Sequence, residues 1–293
     1  MSSQRAQSAD DAPVEEQPFV APGRAGRNLP AAIAVGVTLA MLVLVPLYSP
    51  LRWLFIVVVG LAVAQGVREL VLALRVLGVR AQLLPLVVGG AATIAFAYRD
   101  GPQALFLGVT LTVLACLVLR VAGPPEGLLR DVAASALVAC YVPLLAGFAA
   151  LMTQPPDGPR RVTTFIVVVV CSDVGGYAFG VLLGKHPMSP SISPKKSWEG
   201  LAGSFVVAGA GGGILFLTLF DQVNPLLGVV FGIAITAISV LGDLGESMIK
   251  RDIGIKDLGT LLPGHGGLMD RLDSLLPTAP VVWLLLAVFL PPG

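Results

Sequence analysis

Three carboxylates near the C-terminal end invite a chemical reading. Asp243 closes a long apolar run, where a carboxylate is costly unless it is paired or binds a cation. If that run is a helix and continues, Asp243, Glu246, Ser247 and Lys250 fall at i, i+3, i+4 and i+7, on one face. Asp270 and Asp273 lie three residues apart, again on one face if Gly267 opens a helix. Carboxylates from two helices would make a hard, oxygen-rich site of the kind that suits magnesium. The plainer readings are an interfacial cap with salt bridges for Asp243, and surface acids for Asp270 and Asp273. Arg271 and both acids come immediately before an apolar segment, which favours the metal.

Between these acids lies Pro263-Gly264-His265-Gly266-Gly267. Its glycines would let backbone approach a phosphate closely, and a following helix N-terminus would offer free N–H groups. Flanked by Lys250, Arg251 and Lys256, the turn becomes a candidate cradle for a polyphosphate. A second polar stretch, 193–200, carries Lys195 and Lys196 beside a proline turn just before an apolar run. These lysines serve equally as a topology signal and as phosphate contacts. Asp173 sits inside an apolar run beside Ser172 and the pair Gly175-Gly176; an acid placed there marks function by default.

The elements that must hold these residues are membrane spans. The composition is 55% hydrophobic and 13% charged, against roughly a quarter charged in soluble domains. Charge is clustered, leaving apolar stretches of about twenty residues, enough to cross a hydrocarbon core. The chain therefore reads as an all-α, polytopic integral membrane protein with about nine transmembrane helices. They are expected over 30–48, 53–74, 83–98, 103–119, 132–152, 162–183, 201–220, 225–244 and 277–290. The last is short and flanked by proline, so eight is the alternative count.

Residues 1–28 are polar and poor in bulky apolar side chains, which predicts a disordered cytoplasmic tail. Residues 29–152 would form N-terminal transmembrane helices and 153–293 a C-terminal transmembrane catalytic domain. Basic residues gather on alternate connections: Arg75 and Arg80, Arg120 and Arg130, Lys185, Lys195 and Lys196, then Lys250, Arg251, Lys256 and Arg271. Arg52, Arg99, Arg160 and Arg161 lie on the others. By the positive-inside rule the N-terminus and both long polar connections face the cytoplasm.

The net charge of +1 says nothing about nucleic acid, and no basic tract suggests it, so no nucleic-acid partner is expected. Cys116, Cys140 and Cys171 have no metal-ligand spacing and read as packing residues. A transporter would distribute charge through its spans and repeat its halves; neither pattern is present. The small-residue run 209–213 permits close helix packing within or between subunits, so a homodimer is compatible with it.

Together these residues resemble the phosphatidate cytidylyltransferases, or CDP-diacylglycerol synthases. The family signature is filled without a gap by Ser247, Lys250-Arg251, Lys256-Asp257, Gly259, Leu262-Pro263, His265-Gly266-Gly267-Leu268 and Asp270-Arg271-Leu272-Asp273. Upstream, 193–200 is similar to the family's S-P-K-K-T-x-E-G element, with Ser197 in place of threonine. Asp173, Tyr177 and Gly180 resemble a further family stretch, from which Val174 and Gly176 depart.

The resemblance implies transfer of CMP from CTP to phosphatidic acid in the cell membrane, on its cytoplasmic side, yielding CDP-diacylglycerol and pyrophosphate. It implies Mg2+, with Asp243 and Asp270 as ligands and Asp273 aiding them. Asp243, Lys250, Arg251, Lys256, Asp257, His265, Asp270 and Arg271 form the expected catalytic set. Lys195, Lys196, Ser247, Gly266, Gly267 and Asp173 are the expected substrate contacts. A lipid phosphate is already largely ionised at neutral pH, so His265 is expected in a loop or phosphate contact, with proton acceptance the alternative. A kinase or another lipid-phosphate acceptor would keep the CTP chemistry; the signature argues against the kinase.

Overall fold

A computed structural model describes residues 29–189, 193–261 and 266–291, without the side chains of 29–35, Pro194 and Lys195. The chain divides into two units, Met1–Leu39 and Ala40–Gly293. Of the first, only the start of helix α1 (Leu29–Tyr48) is described. All that follows concerns the second.

Eight segments among the described residues are long and apolar enough to cross a bilayer, and the chain is an all-helical, multi-pass membrane protein. They comprise α2 (Trp53–Leu74, prolonged by a 3₁₀ turn), α3 (Leu83–Asp100), α4 (Pro102–Val121), the composite of α5 (Leu128–Ala139) and α6 (Leu145–Leu151), α7 (Gly158–Leu183), α8 (Trp198–Leu219), α9 (Pro225–Ile253), and α10 with α11 (Met269–Leu272 and Leu275–Phe289). Of α1, the described apolar stretch Gly36–Tyr48 is shorter than a span. A short antiparallel hairpin, β1 (Pro187–Ser189) and β2 (Ser193–Ser197), lies between α7 and α8.

Two boundaries matter for the chemistry. Helix α9 starts at Asn224, whose side chain accepts from Leu226 N at 2.9 Å, with Pro225 in the first turn. It runs on to Ile253 and stops at Gly254, where φ is 80°. Its 29 residues reach about 43 Å, beyond a hydrocarbon core of about 30 Å. The last turns, from Asp243 onward, therefore project from the apolar layer. The final span starts at Met269 rather than 277, so Asp270 and Asp273 lie within its first turns.

Helices α7, α8 and α9 pack backbone to backbone. A Cβ on Gly212 would strike the Gly228 carbonyl, and one on Gly232 would strike that of Ala208. The run 209–213 is thus used within the chain, where small residues let helices approach without a hydrophobic drive between them. A π-helical turn at Cys140–Leu144 joins α5 to α6 at Pro143, whose missing N–H disallows a regular ladder.

The connections α2–α3 and α4–α5 meet at one end. Asp131, 1% exposed, accepts from Arg80 N at 2.9 Å and from Arg120 Nε at 2.8 Å. Arg120 also donates to the Pro124 and Glu126 carbonyls. Of the two arginines expected on the α4–α5 connection as topology markers, Arg120 is thus also a buried tie.

Candidate active site

The end of the bundle where α7, α8, α9 and α10 converge encloses a cavity of about 420 Å³. Asp173 of α7, Lys196 of β2, Asp243 of α9, and Asp270, Arg271 and Asp273 from the start of the last span all line it. Six residues that the sequence offered separately are therefore brought to one place. Its floor is hydroxylic: Ser172, Ser204, Ser239 and Ser274 are each at most 5% exposed, and Ser204 Oγ donates to Ser172 O at 2.7 Å. Sequence reading missed Ser204 and Ser239. Their only signal was a hydroxyl recurring among small residues in an apolar helix.

Lys196 reaches the cavity because Ser197 caps α8, its Oγ accepting from Gly200 N at 3.1 Å, which ends the strand facing the bundle. Lys196 Nζ ion-pairs with Asp243 Oδ2, though the two are not aligned as a hydrogen bond. Ser247 Oγ approaches Asp243 Oδ1 at 3.4 Å. The hairpin is held from behind by Glu199, which accepts from Lys185 N and His186 N and pairs with His186 Nδ1. The side chain of Lys195 lies outside the described residues.

The continued α9 helix does put Asp243, Glu246, Ser247 and Lys250 on one face. Lys250 Nζ lies 3.1 Å from Glu246 Oε1 and 3.0 Å from Asp270 Oδ1, so this cation is engaged by two acids. Asp270 accepts in addition from Leu258 N, at 3.0 Å, and from Gly267 N, at 2.7 Å. Three donors thus occupy most of its roughly four acceptor sites, and a metal ion would share the carboxylate with them. Asp273 accepts from its neighbour Ser274 N at 2.7 Å and faces the cavity.

Three consecutive amides from Gly267 onward are also engaged. Leu268 N and Met269 N donate to Glu69 of α2 at 3.1 and 2.8 Å, and Gly267 N donates to Asp270. Among the described residues, these N–H groups, which the sequence offered to a phosphate, are thus taken by carboxylates of the protein. Glu69 went unread, although an acid in the second span was a visible anomaly. Arg251, Lys256 and Asp257 are exposed and do not line the cavity. His265 lies outside the described residues; Gly266 follows with φ 79°.

Fold and cavity together define a multi-pass membrane protein with acids and bases gathered at one end of its bundle, an arrangement suited to handling phosphates beside a lipid layer. A profile of the cytidylyltransferase family matches residues 27–289, and the chain belongs to that family. It is 44% identical over 282 residues to the phosphatidate cytidylyltransferase of Mycobacterium leprae, covering 90% of this chain and 89% of the relative. With the phosphatidate cytidylyltransferase of Mycobacterium bovis it shares 41% over 288 residues, 94% and 93% of the two chains. A shorter match, 37% over 151 residues, covers 47% of this chain and 51% of the phosphatidate cytidylyltransferase of Haemophilus influenzae.

Proposed function

We propose that this protein transfers CMP from CTP to phosphatidic acid, forming CDP-diacylglycerol and pyrophosphate for phospholipid biosynthesis. The observation that carries the reading is the shared cavity of Asp173, Lys196, Asp243, Arg271 and Asp273, at the end of an apolar bundle. A phosphate oxygen of the lipid attacks the α-phosphorus of CTP in line. The new P–O bond forms as the bond to the bridging oxygen breaks, and pyrophosphate leaves with that electron pair. Two anions must approach, so cations at the cavity wall lower the barrier by screening them. Lys196 and Arg271 are placed to do this, and Lys195, Arg251 and Lys256 are proposed to guide the triphosphate from outside. No base is required, because the attacking phosphate is already ionised.

Magnesium belongs to the same proposal. Among the described residues no three acidic, histidine or cysteine side chains close into a cage. Magnesium needs no such cage: one or two carboxylates suffice, with water and substrate phosphates completing the shell. Asp243 and Asp273, facing one cavity, fit that demand and would hold the ion. When bound, it would withdraw charge from the reacting phosphates and from the departing pyrophosphate. Asp243 is kept oriented by Lys196 and Ser247.

The positive-inside bias supports a cytoplasmic N-terminus and a cytoplasmic active site in the cell membrane, where CTP is available. Single cysteines at Lys256 and Arg160, introduced into a cysteine-free variant, should label from opposite sides of intact cells. The reaction is tested with purified protein in detergent, given labelled CTP, phosphatidic acid and Mg2+. CDP-diacylglycerol should accumulate. Absence of product at every metal concentration overturns the reading.

A further inference from the structure

Glu69 lies on α2, 199 residues before Leu268, and does not line the cavity. Its side chain is nonetheless fully used. Oε1 accepts from Leu268 N at 3.1 Å and Oε2 from Met269 N at 2.8 Å. Gln65 Nε2, one turn earlier on α2, donates to Oε1 at 2.8 Å. Glu69 is only 4% exposed, so these donors replace water for a carboxylate inside a span, where an unpartnered one would be very costly.

At Gly259 and Gly267 the backbone lies so close to this carboxylate that a side chain is excluded. A Cβ on Gly259 would lie 2.5 Å from Glu69 Cδ, and one on Gly267 2.5 Å from Oε2. On the far side Asp270 holds Leu258 N and Gly267 N. The stretches 258–259 and 267–269 are thus held between two buried acids, one from α2 and one from α10. Leu268 offers no side-chain cap of its own to the four-residue helix that follows, so the first amides of that helix depend on a residue far upstream. Asp270, Arg271 and Asp273 come next in the chain.

We infer that Glu69 is a positioning residue for cytidylyl transfer. It fixes the start of the last span, and with it the rotation that presents Arg271 and Asp273 to the cavity while Asp270, at its edge, also holds the loop. The inference rests on the proposed reaction. Its physical basis is charge-assisted hydrogen bonding from two consecutive amides, together with the sensitivity of transfer rates to small displacements of the groups around the reacting atoms.

The test uses the full-length protein in detergent. Glu69→Ala should lower kcat about a hundredfold, while KM for CTP changes less than about threefold, the split expected when transition-state positioning is lost. Glu69→Gln, which keeps the size but turns one acceptor into a donor, should lose about tenfold, and Glu69→Asp should recover part of the rate. Amide hydrogen exchange across 258–270 should accelerate in Glu69→Ala and stay unchanged in α3 and α4. Gly259→Ala should damage the wild type yet add little to Glu69→Ala, because the Cβ then meets no carboxylate.

A kcat within about twofold of wild type per folded Glu69→Gln enzyme, or additive effects of Gly259→Ala, would overturn the inference. Should Glu69→Ala fail to fold, Glu69→Gln and Gly259→Ala carry the comparison. If the wild type itself makes no product, the reaction is wrong; hydrogen exchange then still reports whether the clamp exists.

Discussion

Lys250 on α9 bridges two acids of different helices, its Nζ lying 3.1 Å from Glu246 Oε1 and 3.0 Å from Asp270 Oδ1. Glu246 is fully buried, and its Oε2 has no partner among the described residues. Lys250 therefore neutralises an acidic pair beneath the loop. Removing it by Lys250→Met would leave two buried carboxylates facing each other, at a cost of about 3–5 kcal/mol. Thermal unfolding in detergent should show a large fall in midpoint, and adding Glu246→Gln should restore much of it. An unchanged midpoint would mean the bridge contributes nothing to stability.

Lys196 has a different expected phenotype. Its partner Asp243 is partly exposed to the cavity, so Lys196→Ala should fold normally. It should reduce kcat/KM for CTP by about ten- to a hundredfold, through lost screening and a less oriented Asp243. Lys196→Arg should retain more activity than Lys196→Ala. Steady-state kinetics with varied CTP decide this, and equal activity of all three forms would remove Lys196 from the site.

Chelation with EDTA should abolish transfer, and added Mg2+ should restore it. Asp243→Asn and Asp273→Asn should each raise the Mg2+ concentration needed for half-maximal activity. Asp270→Asn should lose most activity at any Mg2+ concentration, because it loosens the amides of Leu258 and Gly267. A Mg2+ titration of the three variants separates these roles. If Asp270→Asn were rescued by excess metal, Asp270 would be a ligand after all.

The glycine contacts between α8 and α9 predict a purely structural effect. Gly232→Ala would push a methyl group into the Ala208 carbonyl, forcing the helices apart at a cost of about 1–3 kcal/mol. Thermal melting should register the loss. Because Gly232 does not line the cavity, kcat per folded molecule should change little.

Much of this was legible locally. Spans followed from the lengths of apolar runs, since each backbone group in lipid must be satisfied within its own helix. The face shared by Asp243, Glu246, Ser247 and Lys250 needed only the helical repeat. The meeting of Asp173, Lys196, Asp243 and Asp273 was suggested by their types, and the fold supplied the cavity that unites them.

What the residues could do was written in their order; whom they would meet was not. The many spans, the polar segments and the family signature were readable from residue order alone, because these depend on composition and on neighbours a few residues apart. It took the packed helices to show that Lys250 faces two acids, that the amides of Gly267, Leu268 and Met269 go to Asp270 and Glu69, and that buried serines line the cavity. A buried polar group left without a partner is costly, so most find one on another helix or loop. Which helix that is depends on how all of them pack, and no local periodicity carries that information.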